Sequence, residues 1–349
     1  MHGMTTYFIR RILLIPITFV IITFLVYTIL RIVPGGPIEQ AQLQIKMAMM
    51  GEAGSGSASL SGKGEIQIPE EAMEELKKYY RLDKPIVIGY IDWLIGILKL
   101  DFGESYIHGE TVLKVIISKF PISIYFGLIG YFATWLICIP LGVFKAIRHK
   151  SLFDTSTSIL VFLGYSIPGF VACLILLVLF GGGTFLNWVP LGGFRSDNWE
   201  ELSTMGKVID QIHHTIVPLI GYLIGGFATM TILMKNSLLE NLGSDYVRTA
   251  FAKGLSEKRV IFVHALRNSL IPITAGIGHA LGLLFAGSFL IEKTCNIPGM
   301  GLLGYDSIIQ RDYPVILGIL VFMVLIQLTG NIISDIVWAL VDPRIRFGK

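Results

Sequence analysis

Long uncharged runs separated by short polar connections set the layout of this chain. The first is Ile12 to Leu30, preceded by Arg10 and Arg11. Phe120 to Phe144, Ile159 to Phe180, Thr215 to Met234, Leu270 to Ile291 and Pro314 to Leu340 follow it. A bilayer core takes about 20 apolar residues of α-helix to cross, so each run predicts one spanning helix, six in all. A signal peptide has a shorter core, so the first run is read as a retained span. It ends at Val33-Pro34-Gly35-Gly36-Pro37, which no helix crosses intact. Ser166-Ile167-Pro168-Gly169 falls inside the third run, where Pro168 removes a backbone donor and makes either a kink or a tolerated break.

Two stretches depart from this pattern. Residues 38–119 hold a possible short helix at Ala41 to Met50 and a Gly/Ser-rich segment at Gly51 to Gly64. A helix over Pro69 to Tyr80 has acidic residues in its first half, and an amphipathic run follows over Ile86 to Leu100, its Trp93 suited to a membrane interface. The second stretch is a charged island from Lys235 to Pro272. There Val247, Ala250, Phe251, Gly254 and Leu255 fall at i, i+3, i+4, i+7 and i+8, one face of a helix. Asp245, Arg248, Thr249, Ala252 and Lys253 take the other face, and Ser244 stands at the N-cap position. Gly254 costs about 1 kcal/mol inside a helix, so it either ends this one or makes room for a partner.

The expected division is therefore an N-terminal helix over 1–37, an extramembrane subdomain over 38–119, and a core over 120–349 that carries the amphipathic helix of 244–259. Composition agrees with a membrane protein. The chain of 349 residues is 53% hydrophobic and 15% charged, against about 25% charged in soluble domains. A net charge of +3 is too small to point to nucleic acid. Arg10, Arg11, Lys145, Arg148, Lys150 and the many cations of the island and the C-terminal tail alternate with short loops holding only Arg195, Lys207, Lys293 and Arg311. That bias places both termini and the island on the cytoplasmic side.

The residues also exclude several chemistries. No P-loop exists: Gly62-Lys63 is followed by Gly64, and position 57 is Ser. The spans hold almost no ionisable group, His279 and Asp335 apart, whereas ion-coupled carriers keep such groups inside. Cys138, Cys173 and Cys295 show no metal spacing, and His213-His214 sits at a span mouth as an interfacial pair. No Ser/His/Asp, HExxH or paired-carboxylate arrangement supports an enzyme. Two readings stand on these grounds: a stand-alone channel or scaffold whose island lies on lipid, or a pathway driven by a separate motor that receives the island's helix in a groove.

One further observation bears on that choice. Asp245-Tyr246-Val247-Arg248-Thr249-Ala250-x-Ala252-Lys253-Gly254-Leu255-Ser256, followed by His264-Ala265-Leu266-Arg267-Asn268-x-Leu270-Ile271-Pro272, resembles the cytoplasmic loop of binding-protein-dependent ABC permeases. The variant is that of B-type subunits in the dipeptide/oligopeptide/nickel family. Ile297-Pro298-Gly299-Met300-Gly301-Leu302-Leu303-Gly304, Arg311-Asp312-Tyr313-Pro314, Asp342-Pro343-Arg344 and Tyr7-x-x-Arg10-Arg11 are similar to the same family. Ser288-Phe289-Leu290-Ile291-Glu292 and Gly304-Tyr305 resemble its Yej-type oligopeptide and microcin C branch. Two departures are visible: Arg248-Thr249-Ala250 stands where the general loop has Glu-Ala-Ala, and the loop's proline comes late, at Pro272.

The resemblance implies an all-α type I ABC importer permease, non-catalytic, in a bacterial inner membrane. It implies a second, C-type permease, two ATP-binding-cassette ATPase domains that hold ATP and Mg, and an extracytoplasmic peptide-binding protein, with no cofactor on this chain. Asp245, Arg248, Thr249, Ala250, Ala252, Gly254, Ser256 and Glu257 would be the ATPase-coupling residues, and Pro298, Gly299 and Gly301 would shape the external gate. The substrate implied is an oligopeptide, with nickel or a peptide antibiotic as the family's other cargoes. Alternating access, driven by ATPase closure against the coupling helix, is the mechanism it implies.

Overall fold

Among the described residues, the apolar runs of spanning length become helices. The computed structural model describes residues 2–36, 38–39, 42, 70–79, 83–183, 185–274, 282, 285 and 287–341. Its main helices are α1 (His2–Ile32), α2 (Glu70–Tyr79), α3 (Ile86–Leu98), α4 (Val112–Ile147), α5 (Leu152–Tyr165), α6 (Gly169–Phe180), α7 (Thr204–Leu242), α8 (Asp245–Ala252), α9 (Phe289–Thr294), α10 (Met300–Ile309) and α11 (Tyr313–Val341). Between α8 and α9 come short helical turns at Glu257–Arg259, Leu266–Ser269 and Ile271–Thr274, with a π-helical turn at Val260–Ala265. Among the described residues the β-structure amounts to isolated bridges, Glu104 with Thr111 and Gly181 with Val189.

Among the described residues, four helices are long and apolar enough to cross a membrane: α1 over Thr6–Ile32, α4, α7, and α11 over Tyr313–Leu340. The pair α5 and α6 makes a fifth if counted as one bent span. Helix α1 leaves Leu13, Ile17, Ile21 and Leu25 more than half exposed, a stripe that suits hydrocarbon and not water. Proline lies inside α1, α4 and α7, as spanning helices tolerate.

Three expectations are modified. Helix α7 runs well past Thr215–Met234 at both ends, and α4 runs well past Phe120 at its start but stops just beyond Phe144, at Ile147. Hydropathy marks the depth of the bilayer, whereas Lys114, Asp210, Gln211 and Asn241 continue a helix in water. The third run is broken, with α5 and α6 meeting at 93°. Ile167, the residue before Pro168, lies outside both helices, and Pro168 stands as the N-cap of α6. Beyond the bend, a Cβ on Gly169 would lie 2.3 Å from the Gly221 carbonyl, so α6 and α7 cross backbone to backbone. The fifth run, with His279, falls largely outside the described residues, as do Ala41–Met50, Gly51–Gly64 and Asp342-Pro343-Arg344, save Gln42.

The chain divides into two compact units. The first comprises Met1–Ile15, Ser118–Tyr305 and Met323–Lys349. In it Tyr7 donates to Asp335 at 3.1 Å, Arg11 pairs with the same carboxylate, and Arg11 also donates to the Asn331 carbonyl at 3.1 Å. The N-terminal Tyr7/Arg11 pattern thus ties α1 to α11. A second ionic knot holds α4, α5 and α7 together. Lys145, 1% exposed, donates to the Asp154 carbonyl at 2.8 Å, to Thr157 at 2.9 Å and to Ser158 at 2.7 Å. Lys235 Nζ lies 2.8 Å from both Asp154 carboxylate oxygens. Asp154 also accepts from the Lys150 backbone at 3.1 Å, while its own N–H donates to the Ser151 N-cap hydroxyl at 3.2 Å.

The second unit comprises Pro16–Ile117 and Asp306–Phe322. Tyr27, Tyr90 and Leu317 form its core with Phe24 and Trp93 against them. Thr23 and Tyr90 share a 2.9 Å hydroxyl contact. Buried Asp312 accepts from Ser105 Oγ and from the backbone N–H groups of Tyr106 at 3.2 Å and Ile107 at 3.4 Å. Arg311 donates to the Pro34 carbonyl at 2.9 Å. The Arg311-Asp312-Tyr313-Pro314 motif is therefore a loop clamp.

Candidate functional site

Helix α8 follows α7 after a two-residue turn, Gly243 and Ser244. Ser244 has the extended backbone of an N-cap, but its hydroxyl donates backwards to the Asn241 carbonyl and caps no N–H of α8. Tyr246 donates to Asn241 Oδ1 at 2.7 Å, a second tie to the end of α7. At the other end Lys253 is the C-cap and Gly254 follows at φ +75°. The Leu255 N–H reaches the Ala250 carbonyl at 3.3 Å and the Gly254 N–H reaches Phe251 at 2.9 Å. These are the two bonds of a Schellman motif, which needs a left-handed residue at the position Gly254 fills. A Cβ there would meet nothing within 4 Å. Gly254 thus ends the helix, and the requirement is for its backbone angle and not for space.

The helix has one seated face and one open face. Val247, 1% exposed, and Ala250 enter a core made with Val143 and Ala146 of α4 and Met234 and Leu238 of α7. Val260, Ala265 and Ile273 from the returning chain complete it, and Leu255 packs on its edge. The return is pinned to α7: buried Ser237 donates to the Ser269 carbonyl at 2.9 Å, and Ser269 donates back to Ser237 at 3.3 Å. On the open face stand Asp245, Tyr246, Arg248, Thr249, Phe251, Ala252 and Lys253. Arg248 lies 3.5 Å from Asp245, a loose exposed pair. Ser256 and Glu257 are exposed beyond Gly254.

The buried stripe is narrower than the spacing predicts. Phe251, expected on the apolar face, is 46% exposed, and Gly254 is also open. Eight residues give just over two turns, so only positions 247 and 250 can point at the core, while 251 lies past its edge. Ala250 belongs to the seat and not to the open face. Phe251 is the residue of this site that the spacing hides, because periodicity groups it with the core.

Pro298, Gly299 and Gly301 surround a second feature. Pro298 is exposed, whereas Gly299 is buried against Glu292. A Cβ on Gly299 would lie 2.6 Å from the Glu292 carboxylate, and one on Gly301 would lie 2.6 Å from the Phe289 nitrogen. Glu292 itself is 1% exposed. Its carboxylate accepts from Leu302 N–H at 2.7 Å, Ser288 N–H at 3.3 Å and Tyr222 OH at 3.4 Å. Burial pushes its carboxyl above the ordinary value, with the backbone donors and the Tyr222 hydroxyl pulling the other way. The loop is joined to α4 by Met300 N–H donating to Ser123 at 2.8 Å. Gly299 thus admits a buried carboxylate and Gly301 a close backbone crossing, neither of which the sequence pattern alone discloses.

The remaining sequence candidates take structural places. Cys138, Cys173 and Cys295 are free and buried. His214 is buried between the Gly193 carbonyl at 3.0 Å and Ser196 Oγ at 3.1 Å. Among the described residues no cluster of His, Cys, Asp and Glu could hold a metal ion.

Residues 138–347 match the family described as binding-protein-dependent transport system inner membrane component. Over 362 residues the chain is 39% identical to the inner membrane ABC transporter permease protein YejB of Escherichia coli O157:H7, covering 99% of each chain. It is 36% identical over 365 residues to the peptidoglycan transport system permease protein YejB of Agrobacterium fabrum C58, covering 99% of each. It is 34% identical over 346 residues to the oligopeptide transport system permease protein AppB of Bacillus subtilis 168, covering 99% of this chain and 100% of that one. The seated helix α8 and the Glu292 loop both lie inside the matched region, and the chain belongs to the family of inner membrane components of binding-protein-dependent transport systems.

Proposed function

We propose that this chain is the permease subunit of an ATP-binding-cassette importer for oligopeptides. In this reading it crosses the membrane six times, with the fifth crossing over Leu270–Ile291 and both termini in the cytoplasm. It lines the translocation path with a second, C-type permease. Two ATPase domains bind ATP and Mg, dock on α8 and supply the driving force, and an extracytoplasmic binding protein delivers the peptide. The whole-length relatives named for peptide and peptidoglycan transport support the substrate class. The 1–37, 38–119 and 120–349 division describes the same protein by its spans.

The observation that carries the reading is the seating of α8. Its apolar residues Val247 and Ala250 are spent on α4 and α7, and its polar residues with Phe251 are left open. A helix that lay on lipid would turn its apolar stripe toward the bilayer. This one presents Arg248, Phe251 and Thr249, the mixture that a protein groove receives. Seated on α7 through Val247 and Ala250 and tied to its end by Tyr246 and Asn241, it passes a push from below into a spanning helix and not into a loose loop. ATPase closure would then move α7 and its neighbours between inward and outward access, while this chain does no bond chemistry.

Arg248→Glu tests the assignment, since the side chain is exposed and supports no core contact. Affinity-purified wild-type chain should retain a P-loop ATPase, and the variant should lose at least ten-fold of it while inserting normally. Undiminished retention with full peptide uptake would contradict the docking role.

A further inference from the structure

The loop between α6 and α7 closes on the start of α7 through a polar network of Ser196, Asp210 and His214. The His214 side chain is 4% exposed and that of Asp210 13%. His214 Nδ1 lies 3.0 Å from the Gly193 carbonyl, which has no proton to give, so Nδ1 carries one and donates it. Nε2 lies 3.1 Å from Ser196 Oγ and 3.6 Å from Asp210 Oδ1. Ser196 already donates its hydroxyl to Asp210 Oδ1, and its N–H donates to Asp210 Oδ2 at 3.1 Å. With a neutral imidazole, one hydroxyl proton must therefore serve two acceptors, and the one left out is enclosed without a donor. A second ring proton removes the conflict. Nε2–H then donates to Ser196 Oγ, Ser196 donates to Asp210, and the enclosed carboxylate gains a cation. The other titratable and charged groups nearby are engaged or exposed. The Arg195 guanidinium lies 5.0 Å from the Phe194 ring centroid and 4.4 Å from that of Trp199, and Lys207 pairs with Glu200 at 3.5 Å. His213 is exposed, and the buried Cys295 thiol meets that of Cys173.

The same loop is held on its far side. The Gly193 N–H donates to the Cys295 carbonyl, at the end of α9, over 2.8 Å. A Cβ on Gly192 would lie 2.6 Å from that carbonyl oxygen. Residues 192–196 are thus a strap between α7 and the end of α9, the helix that carries Glu292. Imidazole is the side chain that changes charge between about pH 5 and 8. We propose that His214 is a proton-operated latch on this strap: its doubly protonated ring closes Ser196 on Asp210 and so holds the end of α9 against α7. The second proton is bound by the closed arrangement, so the latch is shut on the acid side and loosens as pH rises. Gln211, whose amide donates to the Phe194 carbonyl at 3.2 Å, keeps the loop on α7 in either state. The latch lies wholly within the first unit and stands whether or not α8 receives an ATPase.

The test is amide hydrogen exchange of the full-length chain in lipid nanodiscs at pH 5.5 and pH 8.0, each rate divided by the intrinsic rate for its pH. In wild type the peptide covering 190–197 should lose at least five-fold of its protection at the higher pH, while the peptide covering 244–253 keeps its own. His214→Gln cannot titrate, and Asp210→Asn removes the carboxylate that calls for the second proton; in each the change should be less than two-fold. His213→Gln should respond as wild type does. A wild-type strap indifferent to pH, or a loosening that the 244–253 peptide shares, would overturn the proposal. So would a full response in either His214→Gln or Asp210→Asn, each deciding alone should the other fail to insert, or loss of the response in His213→Gln.

Discussion

At the scale of single residues, two positions separate backbone demands from side-chain demands. Gly254 meets open space where its Cβ would stand, yet its φ of +75° closes the Schellman motif under Leu255. Asn tolerates the left-handed region and a β-branched residue does not. Gly254→Asn should leave the thermal midpoint of the purified protein within a degree or so. Gly254→Val should lower stability by roughly 1–2 kcal/mol, and a midpoint equal to wild type would contradict the assignment. Glu292 makes the opposite case, a side chain that glycines are shaped to admit. Its carboxyl is raised above the ordinary value of 4.5 by burial. Near and below that pH it is protonated folded or unfolded. As pH rises, the unfolded chain releases the proton first, and the folded state loses stability until its own raised value is passed. Unfolding midpoints taken from pH 4.5 to 7.5 should therefore fall for wild type relative to Glu292→Gln. Parallel profiles would show that the carboxylate is fully compensated by Leu302, Ser288 and Tyr222. Its burial could not be read from spacing, because the donors that hold it, the Leu302 N–H and the Tyr222 hydroxyl, lie outside its own helix.

At the scale of elements, the knot of Lys145, Asp154 and Lys235 fixes the ends of α4, α5 and α7 near the base of α8. One carboxylate serves two lysines, one of them fully buried. Asp154→Asn strands both charges, and breaking a buried pair by removing one partner costs about 3–5 kcal/mol. The expected result is a large loss of thermal stability, with substantial recovery when Lys145→Met is added to the variant. A variant as stable as wild type would show that water reaches the cluster. Lys145 and Lys235 were legible as charges that orient the loops, but Lys235 reaches Asp154 from 81 positions away and so leaves no local trace. The same distinction governs the helices. Runs such as Ile12–Leu30 and Pro314–Leu340 announce spans because burial in hydrocarbon is written residue by residue. The 93° break at Pro168 was readable as an interruption, whereas its angle depends on the close crossing at Gly169 and Gly221, which is a tertiary fact.

At the scale of the whole molecule, the chain is a membrane body with no P-loop and a small seated helix to offer. The amphipathic island was visible from its spacing, whereas Gly254 read equally as a helix end or as room for a partner, and the helix drawn over 244–259 in fact stops at Ala252. Which apolar residues would be left over was not visible, since that depends on how far α4 and α7 extend beneath it. Phe251 is that remainder, and it is the natural reporter of what docks there. A photo-crosslinking benzophenone residue placed at Phe251 in native membranes tests the central claim most directly. The account predicts a light-dependent adduct with a P-loop ATPase subunit, changing in yield when nucleotide is added. Adducts with lipid alone, in cells that transport normally, would contradict it.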